Sequence, residues 1–128
     1  MSDDPVEYIR RLWRTLERHG LEAMLELTPA DVVWEPLGAG GRPLRTHDEL
    51  RAYFAAMGRE GRSQEATFHT FEAVGSCVLV IGGLRHFDPG GFSDSQPSWV
   101  YVFEEGRLVR AVGYDTEAEA RAAIAAGL

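Results

Sequence analysis

Apolar residues recur along the chain with two different periods. Val6, Ile9, Leu12, Trp13 and Leu16 fall at helical spacing, with Arg10, Arg11, Arg14 and Arg18 mostly on the opposite side. Asp4 stands as the N-cap, Pro5 takes the first helical position, and Glu7 follows the cap by three residues, a capping-box pattern. Gly20 marks the end of this helix. A short second helix is predicted through Leu21, Met24, Leu25 and Leu27. Thr28-Pro29 closes it, because proline lacks the amide a helix needs. Thr46 and Glu49 open a third helix that buries Leu50, Tyr53, Phe54 and Met57 and ends at Gly58 and Gly61. From Ser63 onward the period is two. Strands are expected over Glu65–Val74, Cys77–Phe87, Pro97–Glu104 and Arg107–Asp115, with turns at Gly75-Ser76, Asp88–Gln96 and Glu105-Gly106. Short turns between neighbours imply antiparallel hairpins. Thr116 and Glu119 form a third capping box, and an alanine-rich helix follows to about Ala126.

Between the second and third helices lies Asp31-Val32-Val33-Trp34-Glu35-Pro36-Leu37. In a strand Val33 and Glu35 point one way and Val32, Trp34 and Pro36 the other. Both faces read as buried, so Glu35 is a carboxylate at a position that calls for an apolar residue. A buried carboxylate titrates above its usual range unless it is paired, and a general acid or base near neutral pH needs that. The expected partner for a paired Glu35 is Arg85, from the central strands. Gly38-Ala39-Gly40-Gly41 reads as a flexible connection and Arg42-Pro43-Leu44-Arg45 as extended chain. The glycines lack the lysine and Ser/Thr of a phosphate loop.

The element order gives an α+β fold. A strongly twisted antiparallel sheet wraps around the helices and leaves an apolar hollow at one end. Such hollows suit a small hydrophobic molecule held by a few polar groups.

Composition narrows the function. At 128 residues the chain fits one domain, residues 1–128, with a real core. Its net charge of −7 argues against nucleic acid, which needs a basic stripe. All 13 Lys/Arg positions are arginine, so a lysine Schiff base, and with it covalent pyridoxal phosphate, is excluded. Cys77 is the one cysteine, and its neighbours Val78-Leu79-Val80-Ile81 mark it as a small core residue. No apolar run approaches the roughly 18 residues of a membrane helix, and the acidic N-terminus is not a secretion signal. No membrane partner and a cytoplasmic location are therefore expected. His19, His47, His69 and His86 show no ligand-like spacing, so no metal and no cofactor are implied.

Several stretches, in order and spacing, resemble one family. They are Val6-Glu7-Tyr8-Ile9-Arg10-Arg11-Leu12, Gly20-Leu21-Glu22-Ala23-Met24, Asp31-Val32-Val33-Trp34-Glu35-Pro36, Thr46-His47-Asp48-Glu49-Leu50 and the closing hairpin from Trp99 to Arg110. Together they resemble the SnoaL-like branch of the nuclear transport factor 2 and ketosteroid isomerase superfamily. The resemblance implies a cone-shaped, cystatin-like fold: a curved antiparallel sheet around three helices of the N-terminal half, with a short C-terminal helix. It also implies a homodimer formed through the outer sheet face. In ketosteroid isomerases an acidic residue followed by proline at this place is the general base, and Glu35-Pro36 matches it. Leu12 stands where the family's tyrosine would be and Trp99 where its protonated acid would be. The oxyanion donors are thus missing apart from the Trp99 indole, and a steroid isomerase is not implied.

Two functions follow from these residues together with what the resemblance implies. One is a cofactor-independent lyase or isomerase of the cyclase or dehydratase type. There Glu35 abstracts a proton beside a carbonyl, Trp99 or Tyr53 donates to the oxyanion, and His86, coupled to Asp88, is a further acid–base candidate. The alternative is a non-catalytic ligand-binding or dimerisation module. The expected ligand-binding residues are Leu12, Trp13, Tyr53, Phe54, Met57, Arg85, Tyr101 and Asp115. Trp99, Tyr101 and Phe103 are expected on one inward strand face, opposite Ala111, Gly113 and Asp115. The loop Asp88–Gln96 is read as a lid or a solvated turn.

Overall fold

The computed structural model describes residues 4–37 and 42–128; the glycine-rich connection Gly38–Gly41 lies outside them. Helix α1 (Pro5–His19) begins where the sequence places it. The Asp4 carboxylate accepts from the Val6 amide at 2.8 Å. The capping box does not close, because the Glu7 carboxylate turns to Arg10 instead, at 2.9 Å. Gly20, at φ +89°, ends α1 and opens α2 (Leu21–Glu26), a conformation that only glycine adopts cheaply. Helix α3 (His47–Arg59) is capped by Thr46, whose hydroxyl accepts from the Glu49 amide at 3.0 Å. The Thr116 hydroxyl does the same for Glu119 at the start of α4 (Glu117–Ala125). Among the described residues, no helix is long and apolar enough to cross a membrane.

Six strands form one sheet: β1 (Val33–Glu35), β2 (Ser63–Val74), β3 (Cys77–Asp88), β4 (Gly91–Ser95), β5 (Ser98–Glu104) and β6 (Arg107–Tyr114). The spatial order is β1-β6-β5-β3-β2, with β4 paired to β3 off this path. The hairpins are antiparallel as expected. The short β1 lies parallel to β6, placing Trp34 beside Ala111 and Glu35 beside Val112. Arg42–Arg45 contributes one bridge, in which Trp34 and Leu44 exchange backbone hydrogen bonds of 2.8 and 2.7 Å.

The segment read as a lid or turn is a strand. β4 pairs with the far half of β3, while β5 pairs with the near half, so Pro97 and Gln96 bridge two partners of one long strand. Its composition of Gly, Ser and Asp has little intrinsic preference for a strand. Pairing and side chains hold it: Arg85 grips Asp94 with two hydrogen bonds of 2.7 and 2.9 Å and lies 4.3 Å over the Phe92 ring.

Two apolar clusters sandwich the sheet. The inner one joins α1, α2 and α3 to the concave face through Ile9, Leu12, Leu25, Val78, Val80 and Leu108. The outer one packs Ala120 of α4 against Cys77, Leu79, Val100 and Val102, with Ile124 and Leu128 beside them. The outer face is therefore partly covered by α4. Arg121 ties that helix down, reaching Glu72 on β2 at 3.0 Å. Cys77 is buried here, and desolvation pushes its thiol up, consistent with an inert core residue.

Candidate functional site

A cavity of about 810 Å³ opens between α1, α3 and the concave sheet face. Helix α1 supplies Trp13 and Leu16, α2 supplies Met24, and α3 supplies Leu50, Phe54 and Met57. The sheet supplies Trp34 from β1, Phe68 from β2, Trp99 and Tyr101 from β5, and Ala111 and Gly113 from β6. The alternation read in the sequence holds on this wall: the aromatics of β5 face inward, and the small residues of β6 leave the room. The rings pack on one another around Trp13, with centroids 4.3 Å from Phe68, 5.8 Å from Trp99 and 6.1 Å from Tyr101.

Polar side chains also line the cavity: Glu17, Glu35, Arg62, Ser63, Gln64 and Glu65, besides Tyr101. The Tyr101 phenol is held far above its ordinary range by desolvation, with the Trp13 indole as the lesser, opposing influence, so it stays a protonated donor. The indole nitrogens of Trp13 and Trp34 are buried and meet no acceptor in good geometry among the described residues. An unmatched buried donor costs about 1–3 kcal/mol. Arg62 sits at the rim, paired through one nitrogen to Glu60 at 2.5 Å, while its Nε is likewise buried without a partner.

Glu35 borders the cavity, but its carboxylate belongs to the other face. In the β1–β6 register it shares its side with Val112 and Arg110, and those residues stand opposite Val100 and Val102 of the outer cluster. Trp34 takes the inward side. The Glu35 partner is Arg110, not Arg85: Nε of Arg110 donates to Oε2 at 2.7 Å, and Nη2 lies 2.6 Å from the same oxygen in an ion pair. The carboxylate is 17% exposed, so this is a half-sheltered ion pair. Arg85 lies on the outer side of the β2–β3–β4 arm with Asp94 and does not line the cavity.

Of the other sequence candidates, Trp13, Phe54, Met57, Trp99 and Tyr101 line the cavity together. Leu12 is buried in the inner cluster beneath it. Tyr53 donates its hydroxyl to the Leu37 carbonyl at 2.8 Å, bracing the strand end rather than the cavity. His86 does not line the cavity, although Gln64, its partner in the β2–β3 register, does, and Asp115 is exposed beyond β6. The Trp34 wall was missed as a site residue. Its signal was present in the alternation of β1, which allows only one of Trp34 and Glu35 to face inward.

The sequence pattern of the SnoaL-like domain family matches residues 9–111. The chain belongs to that family. No curated protein matched the chain. Among solved structures, this SnoaL-like domain is similar to an NTF2-like protein of unknown function from Burkholderia pseudomallei. That pair shares 22% identity at a TM-score of 0.74, covering 92% of this chain and 95% of the other. It is also similar to TerC co-crystallised with polyporic acid, at 18% identity and a TM-score of 0.74, covering 95% and 99%. A putative polyketide cyclase from Xanthomonas campestris pv. campestris matches at 13% identity and a TM-score of 0.72, covering 92% and 94%. At these identities the likeness establishes the NTF2-like α+β cone.

Proposed function

We propose that this SnoaL-like domain binds a small, largely apolar carbonyl compound in the cavity walled by Trp13, Trp34 and Trp99. The observation that carries it is the cavity itself: about 810 Å³ of hollow in a domain whose other inner residues are close-packed. The Trp34 indole nitrogen of its wall, buried and without a partner among the described residues, favours a ligand that brings an acceptor oxygen. The structural likeness to TerC, seen with polyporic acid, and to a protein named a putative polyketide cyclase supports the same class of ligand.

A second reading makes the domain a cyclase- or isomerase-type enzyme with Glu35 as base. It is favoured by one detail. Both Arg110 contacts fall on Oε2, leaving Oε1 with no hydrogen bond among the described residues, on a residue that borders the cavity while its carboxylate turns to the other face.

One preparation tests both. All three tryptophans of the chain line the cavity, so intrinsic emission reports its occupancy. Titration with 1-tetralone is expected to give a saturable change in emission and heat of binding; a flat response in both overturns the binding reading. Proton abstraction from an activated benzisoxazole is then measured with the protein and with Glu35→Gln. A working base contributes about 10²–10⁴-fold, so a rate of that size lost in the variant supports catalysis. Equal background rates in both leave binding alone.

The partner assigned to the outer face is a second copy. Beyond α4, that face carries Ile81, Phe87 and Phe92, and Phe92 is 60% exposed. Light scattering on a sizing column should show a dimer that Phe92→Ser shifts toward monomer. A wild-type monomer at every concentration tried sinks the assignment.

A further inference from the structure

A second hollow, of about 480 Å³, lies between α1 and β2. It shares Trp13, Glu17, Ala66 and Phe68 with the main cavity, so these residues form a wall common to both. Apart from Ala66, the wall is made by long side chains, and the stacked Trp13–Phe68 pair can part by rotation about its side-chain bonds without moving backbone. Arg10, Trp13, Arg14 and Glu17 fall at i, i+3, i+4 and i+7, one face of α1. Two exposed arginines, Arg10 and Arg14, therefore border an aromatic groove.

Their states differ. Arg10 is engaged with Glu7 and lies 5.4 Å over the Phe71 ring. Arg14 makes no ion pair or hydrogen bond among the described residues. Helix α1 carries Arg10, Arg11, Arg14 and Arg18 against Glu7 and Glu17, a positive face on a chain of net charge −7. Glu17 is the single carboxylate in the groove and is outnumbered there two to one.

We infer that this groove is an anion subsite adjoining the cavity and joined to it when the Trp13–Phe68 pair parts. The site as a whole takes an elongated aromatic carboxylate, its apolar body in the cavity and its carboxylate on Arg14. A carboxylate is the matching anion because its two oxygens fit the planar fork of a guanidinium. Phe71 and Phe68 give the linking methylenes an apolar floor. The inference rests on the cavity being a ligand site, and it adds which end of the ligand is charged and where that end lies.

The test uses 4-(naphthalen-2-yl)butanoate and its methyl ester, titrated calorimetrically into the whole protein at low salt. The acid should bind about tenfold more tightly than the ester, the scale of one charge-assisted contact that is partly exposed. That advantage should vanish in Arg14→Gln and shrink at high salt, while the affinity of the ester stays unchanged. Glu17→Gln should widen the gap. Equal affinities for acid and ester, or a gap that survives Arg14→Gln, overturn the subsite and leave the cavity reading standing. No binding of either compound overturns the cavity reading, and the subsite with it.

Discussion

Replacing Trp34 with alanine should lower the unfolding free energy by about 3 kcal/mol, whereas Trp34→Phe should change it by less than about 1 kcal/mol. Two effects set these values. Truncating a buried tryptophan to alanine costs about 3–5 kcal/mol in a close-packed core. Trp34 packs on the inner cluster with one side only, since its other side forms cavity wall, so the lower end applies. Phenylalanine keeps most of the packing and removes the buried N–H that has no acceptor. Relief from that orphan donor, about 1–3 kcal/mol, offsets the lost ring area. Urea denaturation of the three proteins checks both numbers. A Phe variant as unstable as the Ala variant would mean that the indole donor is satisfied and that the polar wall drawn for the cavity is wrong.

Gly82→Ala should cost about 1–3 kcal/mol, and Gly83→Ala, next to it, should be close to neutral. The register of β2 against β3 slips at this point: Phe68 faces Gly82, Thr70 faces Ile81, and His69 is the extra residue of a β-bulge. The bulge pushes the Thr67 carbonyl onto the place where a Cβ at residue 82 would sit, and the Phe68 Cα lies 3.2 Å from it. Both obstacles are backbone and neither yields easily. At Gly83 the nearest atom is 3.8 Å away, ordinary contact. Thermal melts of the two variants give the comparison, and equal melting temperatures would mean that the bulge relaxes at no cost.

The helices were legible because their signals are local. Asp4, Thr46 and Thr116 cap helices whose amide donors are within two or three residues. The hairpins β2–β3 and β5–β6 were legible for the same reason, since short turns fix antiparallel neighbours. What failed was long-range. The partner of Glu35 is set by the parallel pairing of β1 with β6, between residues 75 positions apart, and no turn announces it. The strand β4 was hidden because its own residues favour coil, and its ladder with β3, the Arg85–Asp94 grip and the Phe87–Phe92 contact hold it in the sheet. The alternation of β1 separated Trp34 from Glu35 correctly but could not say which side was inward. The charged residue drew the eye, and the tryptophan took the wall.

The divided pairing of β3 bears on how this fold can vary over time. The near half, Cys77–Ile81, is held between β2 and β5 and between two apolar clusters, so nearly every substitution there is felt across the molecule. The far half carries β4, all five of whose residues are exposed. Changes in that arm cost the core almost nothing, and it can open locally while the rest stays closed. The two ends of a single strand thus differ in tolerance: a substitution at one is felt by both apolar clusters, and one at the other alters mainly surface chemistry.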